Sequence, residues 1–513
     1  MNKLYVCLFL CLCSLSCHSH EAPPADTVII GIDLQPEQFD PRVANDAANS
    51  KIKRLLFSGL MSLDDSQRIV PDVAKTVSMR DDLTYEFELR DDVVFHNLQK
   101  LTSADVKATY VTMQDPKLAS PYQTGLDIIA KIDTPDATHI VFTLKKPFLP
   151  FLTLMTLSIL PAEQAKQYLS GHVMTFAELN GSGPFQIAPI GQAKNKMVLQ
   201  RFENYFGTKP KTKTLVFWAL PDATLRTFEL MKGRIDLVQN AIPYVLVPAL
   251  KQNPALKFQE SVGVNFSYLA FNFKNPYLKN LAVRKAIALA IDRDKIIKYK
   301  LSGLAHKADS VLNPNHWAYN HELASFDFDL ALAKKTLDDA GIKDPDGDGP
   351  LMRFNLVYKT STNKERFEIV QLIAENLRKI DIGVAVKSYE FGTLYRDIRQ
   401  GDFDLFSLTW VGLFDPDIYY SIAHSLQTPP TGSNRGYYAN PALDTLLEQE
   451  RVEKNPEARL RLLQSIQKIF LDDFVYVPLW YESSFAFTST RLKGYQVRAD
   501  SGLQNLLNAD VTP

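Results

Sequence analysis

The residues best suited to hold a ligand lie in one stretch towards the C-terminal end of the chain. Residues 401–410 read Gly-Asp-Phe-Asp-Leu-Phe-Ser-Leu-Thr-Trp, a short apolar strand preceded by a glycine, and residues 411–420 continue as a loop. The stretch carries an indole, two carboxylates and two phenols: Trp410, Asp415, Asp417, Tyr419 and Tyr420. Rings provide contact area and a few charges orient a ligand, and loops that follow sheet strands are where α/β proteins usually bind. A buried strand followed by an ordinary aromatic turn is the alternative.

Motifs for catalysis and for metal binding are missing from the sequence. It contains no Gly-x-Ser-x-Gly and no His-Glu-x-x-His, and His316 and His321 are five residues apart, off the helical spacing of zinc enzymes. Residues 344–349 copy the opening of an EF-hand loop, but the twelfth position is Asn355 instead of glutamate, which favours a solvated acidic turn. We therefore expect no enzyme activity, no cofactor and no metal site, with an unrecognised carboxylate pair left open.

Composition and charge point to a globular protein without a polyanionic partner. The chain has 513 residues, of which 46% are hydrophobic and 22% charged, so its length predicts about three domains. The formal net charge is -1 and the pI is about 6.8. Because nucleic-acid binding needs a basic face, we expect no nucleic-acid partner.

The N-terminus has the pattern of an export signal. Lys3 precedes an uncharged apolar run over residues 4–15, which is too short to span a membrane as a helix. All four cysteines lie here, the last being Cys17, so the remaining chain has no thiol, as suits an exported protein. Cys17 follows Ser-Leu-Ser and precedes a polar tether, residues 18–26, which resembles the lipobox of bacterial lipoproteins, although Ser14 replaces the usual leucine. A lipid on Cys17 would anchor the protein to a membrane surface; a simple cleaved signal peptide is the alternative.

The binding stretch has a counterpart earlier in the chain. Residues 230–238 and residues 398–406 both run from a helix end through a glycine, an apolar residue and an aspartate into a short apolar strand. Asp222 predicts an N-cap for a helix over 223–232, and Gly233 predicts its end. Two α/β lobes of related construction are expected, unless the similarity merely reflects common helix-ending chemistry.

Further patterns predict the elements around these units. Thr102 followed three residues later by Asp105 predicts a capped helix start. Apolar residues at i, i+3, i+4, i+7 and i+8 from Val283 predict an amphipathic helix, on which Arg284, like the nearby Arg293, is expected to be structural. Residues 356–389 read as strand, helix and strand, a βαβ unit, which implies parallel strands.

Several of these segments resemble family 5 solute-binding proteins, the peptide-type receptors of ABC importers. The resemblance rests on residues 82–96 followed by Leu-Thr-Ser-Ala-Asp-Val (101–106), on Gly-Ser-Gly-Pro-Phe (181–185) with Asn-Tyr-Phe (204–206), and on residues 283–293. The turn at 181–185 does not complete a Gly-x-Gly-x-x-Gly phosphate motif, so a tight turn is expected there.

The resemblance implies an α/β, two-lobed periplasmic-binding-protein (clamshell) fold with an extra subdomain inserted in the first lobe. We expect a signal peptide (1–17), a tether (18–26), lobe I (27–52, 177–264 and 478–513), the inserted subdomain (53–176) and lobe II (265–477). Such receptors close their lobes on a solute.

The resemblance also implies which residues face the solute. Phe391 falls where oligopeptide receptors carry an aromatic residue, and Tyr268 lies on the strand that enters lobe II. Arg435 is suited to hold a carboxylate bidentately, with a structural pair to a neighbouring acid as the alternative. The predicted ligand-binding set is Tyr268, Phe391, Trp410, Asp415, Tyr419 and Arg435.

One departure from the family bears on the solute. Dipeptide and oligopeptide receptors of this type hold the α-amino group with an aspartate three residues after the tryptophan, and this position is Leu413. Loss of a buried charge partner costs about 2–5 kcal/mol, so either Asp415 takes that place or the ligand has no free amine there. We expect a peptide; a nickel chelate, glutathione or an oligosaccharide are alternatives.

The implied function is a monomeric, lipid-anchored receptor that delivers a peptide-like solute to an ABC permease with its ATPase subunits. A peptide chaperone or sensor without import is the alternative from a different functional class. The predicted location is the cell envelope, either free in the periplasm or held at a membrane surface.

Overall fold

The computed structural model describes residues 24–35, 39–43, 47–167, 174–193, 195–347 and 349–511. The predicted signal peptide with Cys17, and residues 18–23 of the predicted tether, lie outside these ranges. Within the described ranges, no helix combines the length and the apolar character needed to cross a membrane.

The strands, in chain order, are β1 (Thr27–Ile32), β2 (Met61–Leu63), β3 (Ile69–Pro71), β4 (Ala74–Met79), β5 (Thr84–Leu89), β6 (Ile129–Asp133), β7 (His139–Leu144), β8 (Phe185–Ala193), β9 (Lys196–Arg201), β10 (Thr214–Ala219), β11 (Leu237–Gln239), β12 (Leu256–Phe271), β13 (Ala305–Lys307), β14 (Phe354–Ser361), β15 (Ile382–Tyr389), β16 (Leu405–Trp410), β17 (Tyr476–Ser489), β18 (Leu492–Lys493) and β19 (Asp510–Val511).

The α-helices are α1 (Ala47–Leu56), α2 (Ser103–Gln114), α3 (Gln123–Leu126), α4 (Phe151–Leu154), α5 (Ala162–Gln167), α6 (Ala223–Met231), α7 (Val247–Leu250), α8 (Leu281–Leu289), α9 (Arg293–Lys300), α10 (Leu330–Asp339), α11 (Lys364–Arg378), α12 (Phe391–Gln400), α13 (Ile418–Ala423), α14 (Pro441–Glu450) and α15 (Pro456–Asp472).

Most strands join one mixed sheet that runs through the molecule. Its order is β15-β14-β16-β12-β17-β11-β1-β10-β9-β8, and β13 pairs with β17. The βαβ unit predicted over residues 356–389 is confirmed, since β14 and β15 pair in parallel and α11 connects them. Separate apolar clusters cover the two faces of this sheet over residues 265–477, one containing Leu269 and Leu405, the other Tyr268 and Phe406.

Two long antiparallel strands, β12 and β17, carry the sheet from one half of the molecule to the other. They pair from Leu256 with Ser489 to Ala270 with Tyr476, and the register shifts between Val262 and Asn265. Both strands are longer than the apolar runs in the sequence indicate, because central sheet partners satisfy their polar segments too. The predicted lobe boundaries, 264/265 and 477/478, fall inside these continuous strands and stay a prediction.

A second, four-stranded sheet of order β4-β5-β7-β6 lies within residues 53–176. Its apolar side packs on α2 and α4 around a core of its own that includes Phe87, Tyr110 and Phe142. The predicted start of α2 is confirmed, because the Thr102 N–H donates to the Asp105 carboxylate at 2.8 Å in a capping box.

The helix–glycine–strand unit recurs in three dimensions as it does in the sequence. Gly233 after α6 and Gly401 after α12 have φ values of +71° and +75°, a left-handed conformation that favours glycine. The aspartate that follows accepts from a backbone N–H of the adjacent strand in both units: Asp236 from Ile29 at 2.9 Å, and Asp404 from Val357 at 2.8 Å.

The predicted tight turn at residues 181–183 packs against the end of α1. A Cβ atom on Gly181 would lie 1.9 Å from the carbonyl oxygen of Leu56, and the Gly183 N–H donates to that oxygen at 2.9 Å. Close approach of two backbones explains the glycines, and no phosphate-binding loop is needed to account for them.

Candidate functional site

The candidate site forms where β16 ends. In the antiparallel pair of β16 with β12, Trp410 lies opposite Phe266 and Leu408 lies opposite Tyr268. Directly opposed residues and residues two apart share a face of a sheet, so Phe266, Tyr268 and Trp410 project from the same face. The sheet register therefore brings Tyr268 and Trp410 together, although their strands lie far apart in the sequence. Ser267 and Thr409, which precede them and pair across the two strands, are 142 positions apart.

Stacked rings form the floor of the site. The ring centroids of Tyr268 and Trp410 are 6.1 Å apart with an interplanar angle of 12°, and those of Tyr268 and Tyr476 are 4.2 Å apart at 20°. Tyr268 is fully buried, whereas Trp410 is only partly buried and keeps area for a ligand. Tyr268 thus packs against Trp410 on the side of the protein core.

Arg435 lies against this floor. Its Cζ atom is 4.9 Å from the Trp410 ring centroid and 5.1 Å from the Tyr395 ring centroid, so the guanidinium sits between two aromatic side chains. Nη2 donates to the Tyr395 hydroxyl at 3.0 Å, and Nη1 donates over 3.4 Å to the Tyr268 hydroxyl. The residue is 7% exposed.

A fixed loop holds Arg435 in place. The Asn434 side chain accepts from the backbone N–H of Tyr438 at 3.0 Å and donates to the Tyr438 carbonyl at 2.7 Å. A Cβ atom on Gly436 would lie 2.5 Å from the carbonyl oxygen of Phe271, so glycine lets the loop approach the end of β12. These contacts hold the backbone on either side of Arg435, and the bonds to the Tyr395 and Tyr268 hydroxyls orient its guanidinium.

The charge of Arg435 has no carboxylate partner among the residues that the structure describes. Two other buried arginines donate to backbone carbonyls, whereas Arg435 donates to phenol hydroxyls: Arg284 donates to the backbone carbonyls of Asp473 and Leu278 at 2.9 Å, and Arg293 donates to that of Ala308 at 2.7 Å. Both fill the structural role expected from the sequence. A buried cation bonded only to phenol oxygens is costly without a further anion, so Arg435 is suited to bind one bidentately.

Phe391 occupies the outer end of the same row of side chains. It stacks on Tyr395, with ring centroids 6.1 Å apart at 19°, and is 55% exposed. Both residues belong to α12, where positions four apart share a face. Contacts link these side chains in the order Phe391, Tyr395, Arg435, Trp410 and Tyr268.

Tyr419 lies apart from this row. It is 1% exposed and packs on Phe470 in the core of residues 265–477. Its hydroxyl accepts from the Val311 N–H at 3.1 Å and lies 2.8 Å from Ser310 Oγ. In this structure the side chain stabilises the loop around residue 310 and has no open side towards the cleft.

The structure gives Asp415 protein partners. The Thr153 hydroxyl, on α4, donates to its Oδ2 atom, and the backbone N–H of Asp417 donates to Oδ1 at 2.9 Å. Leu413, at the position where the family carries an amine-binding aspartate, is 7% exposed and packs in the core with Tyr268. The loop after Trp410 thus reaches the predicted inserted subdomain.

Arg451 belongs to the same connection, in which Phe148, Leu149 and Thr153 lie against Asp415 and Arg451. Its guanidinium is 2.8 Å from Asp417 and lies 3.7 Å from the Tyr420 ring centroid and 4.7 Å from that of Phe148. Its carbonyl oxygen accepts from the Leu149 N–H at 2.9 Å. Burial raises the pKa of Asp417 well above its usual range, and Arg451 opposes that shift.

Sequence reasoning missed Tyr395 and Tyr476. The helical spacing from Phe391 was a usable signal for Tyr395, because i and i+4 lie side by side. Tyr476 had no such signal, since only the pairing of β17 with β12 places it opposite Ala270 and beside Tyr268. Among the described residues, no group of three or more His, Cys, Asp or Glu side chains is arranged to hold a metal ion.

Known proteins are similar to this chain in fold and in sequence. A "Probable di/tripeptide-binding protein 5" of Pseudomonas aeruginosa (strain UCBPP-PA14) is 28% identical over 92% of this chain and 93% of its own. The solved structure of HbpA2 from Haemophilus parasuis has a TM-score of 0.84, at 22% identity, and covers 95% of this chain and 100% of that one. The oligopeptide-binding protein AppA from Bacillus subtilis, solved with a nonapeptide, has a TM-score of 0.76 at 24% identity and covers 96% and 100%.

The two-lobed fold expected from the sequence is confirmed by these structures. Residues 68–430, more than half of the chain, match the family model described as "Bacterial extracellular solute-binding proteins, family 5 Middle". The chain therefore belongs to the family 5 bacterial extracellular solute-binding proteins.

Proposed function

We propose that this protein is the extracytoplasmic receptor of an ABC importer and captures a peptide-like solute in the cleft between its lobes. The observation that carries the proposal is Arg435, a buried guanidinium between Tyr395 and Trp410 without a carboxylate partner in the described chain. A solute carboxylate supplies the missing charge, and the neighbouring rings accept side chains of varied shape. Relatives named as di/tripeptide-binding and oligopeptide-binding proteins support the peptide class.

The groups at the site suit binding rather than catalysis. Burial raises the pKa of Tyr476 to about 12 and that of Tyr268 well above its usual range, so neither phenol exchanges a proton near neutral pH. Arginine stays charged as well. A guanidinium, an indole and neutral phenols hold and orient a solute, and we propose no enzyme activity.

Capture is coupled to closure of the lobes. A ligand shifts the open–closed equilibrium only through contacts that it makes more strongly in the closed state. The rings and Arg435 on lobe II supply one half of such contacts, and the facing lobe supplies the other. The closed form then presents the solute to a membrane permease driven by ATPase subunits.

We further propose that the protein is exported as a monomer and anchored by a lipid on Cys17. The apolar run over residues 4–15 followed by Ser-Leu-Ser-Cys supports this proposal. Metabolic labelling with a palmitate analogue tests the anchor: wild-type protein should be labelled and Cys17→Ser should not.

The solute itself is tested by what copurifies with the protein. Mass spectrometry of material released by denaturation should find peptides in wild-type protein and far fewer in Arg435→Gln. A deletion strain should grow poorly on peptides as its only source of a required amino acid. Cargo consisting of metal chelates or sugars would refute the peptide class, and normal growth would refute import.

A further inference from the structure

Charged groups near the site are distributed unevenly. On one side, Arg435 is buried against Trp410 and has no carboxylate partner among the described residues. On the other side, the loop over residues 411–417 contains two carboxylates, and the structure describes every residue of this loop. Whether either carboxylate is available decides which charge a solute can carry there.

Asp415 is already engaged. Its Oδ2 atom accepts from the Thr153 hydroxyl, and its Oδ1 atom accepts from the Asp417 N–H at 2.9 Å. A solute amine that replaced the Thr153 hydroxyl at Oδ2 would break this contact between lobe II and α4.

Asp417 is engaged as well. Its carboxylate lies 2.8 Å from the Arg451 guanidinium, which the Tyr420 and Phe148 rings cover. The charge of Asp417 is therefore neutralised inside the protein. A solute amine placed nearby would face Arg451, a like charge.

The remaining side chains at the start of this loop are apolar. Val411 is 70% exposed, directly after Trp410, and Leu413 is packed in the core. The Gly412 N–H donates to the side-chain oxygen of Asn265 at 3.1 Å. The surface that the loop offers next to Trp410 is thus an isopropyl group, which favours an uncharged part of a solute.

From these contacts we infer that the receptor selects its solute by a carboxylate bound at Arg435 and does not require a free amino group. The inference rests on the proposed function and specifies which end of the peptide is recognised: peptides whose amino end is acylated are accepted as well as free ones. The two carboxylates of the loop, Asp415 and Asp417, tie it to α4 and to Arg451.

A pool of tripeptides in three matched forms tests the inference: free at both ends, N-acetylated, and amidated at the C-terminus. Competition at equal concentrations, read by native mass spectrometry of the full-length processed protein, ranks the three forms. N-acetylation should change affinity less than about threefold, whereas amidation should lower it by about thirtyfold or more, the usual loss of a buried charge partner. Rejection of the acetylated pool with retention of the free pool would overturn the inference and leave the proposed function standing. Binding of none of the three pools would overturn both.

Two variants add an internal control. Asp415→Ala should weaken free and acetylated peptides by the same factor, because it removes a contact between protein elements. Arg435→Gln should abolish the difference between carboxylate and amide forms, because the anion site is gone. A loss confined to free-amine peptides in Asp415→Ala would show that Asp415 binds the amine and would overturn the inference.

Discussion

Thr153→Val provides the sharpest test of the proposed closure, because Thr153 on α4 donates to Asp415 in the loop after Trp410. The substitution keeps the size of the side chain and removes the hydroxyl that donates to Asp415. In the proposed closed form the Oδ2 atom of Asp415 then lacks its donor, whereas in an open form water solvates both groups. Loss of a hydrogen bond to a charged group costs about 1.5–3 kcal/mol, so the closed state should become about 10- to 150-fold less populated relative to the open state.

Distance measurements between the two halves report this equilibrium directly. The chain has no cysteine after residue 17, so thiols introduced at Lys146 and Leu426, both exposed, are the only labelling sites in the processed protein. We expect the ligand-free distance distribution of Thr153→Val to shift towards longer distances. When most of the ligand-free protein is open, the smaller population of the closed state should lower the affinity for every peptide by the same factor.

Thr156→Val is the matched control. Thr156 follows α4, and its hydroxyl donates to the Thr153 carbonyl at 2.8 Å, a bond local to that segment. This variant should leave the distance distribution and the affinity unchanged. Equal distance distributions and affinities for Thr153→Val and Thr156→Val would refute the role of the Asp415 contact in closure. A loss of affinity for only some peptides would show that the effect of this contact depends on the ligand.

Three further predictions follow from single sites. Arg435→Met should raise the free energy of unfolding by about 1 kcal/mol, because it removes a buried charge without a carboxylate partner among the described residues. Arg284→Met should lower the free energy of unfolding, because Arg284 donates to backbone carbonyls. Denaturant titration measures both, and a destabilised Arg435→Met would show that the Arg435 charge stabilises the ligand-free fold. Gly233→Ala should cost about 1 kcal/mol, because φ is +71° in open space, and Gly401→Ala should cost more, because its Cβ atom would also lie 2.8 Å from the Tyr437 ring; equal melting temperatures would refute this ranking. Burial lowers the pKa of His96 to about 4 and raises the pKa of Asp72 to about 7. The native state therefore binds fewer protons at His96 and more at Asp72 than the unfolded chain does, so the His96 contribution to stability is lost as pH falls from about 6.5 to 4, and the Asp72 contribution is lost as pH rises from about 4 to 7. Melting curves of His96→Gln should lack the first dependence and those of Asp72→Asn the second; parallel curves for all three proteins would refute the assignment.

Local structure was predictable wherever a short stretch of sequence contains the whole cause. The cap at Asp222 is observed, with the Leu225 N–H donating at 2.6 Å, and the helix that it begins, α6, ends one residue before the predicted position. The amphipathic pattern from Val283 became α8, whose apolar side is buried. Capping, helix periodicity and left-handed glycines act over a few residues, so a single sequence suffices to recognise them.

The candidate site was only partly predictable, for a reason visible at Asp415 and Tyr419. Both residues stand in the loop after Trp410, and their types suggest ligand contacts. Asp415 is hydrogen-bonded to Thr153, and Tyr419 is hydrogen-bonded to Ser310. Each partner lies more than 100 residues away in the chain. No local pattern records such a partner.

The sequence by itself determined that this chain forms α/β units and that Trp410 ends a buried strand. Only the tertiary structure decided that Tyr268 and Tyr476 support Trp410, that Arg435 lies buried beside it, and that the acids of the loop face other parts of the protein. The reason is physical: caps and turns are satisfied by neighbours in sequence, whereas buried charges are satisfied by whatever the pairing of distant strands brings within hydrogen-bonding distance.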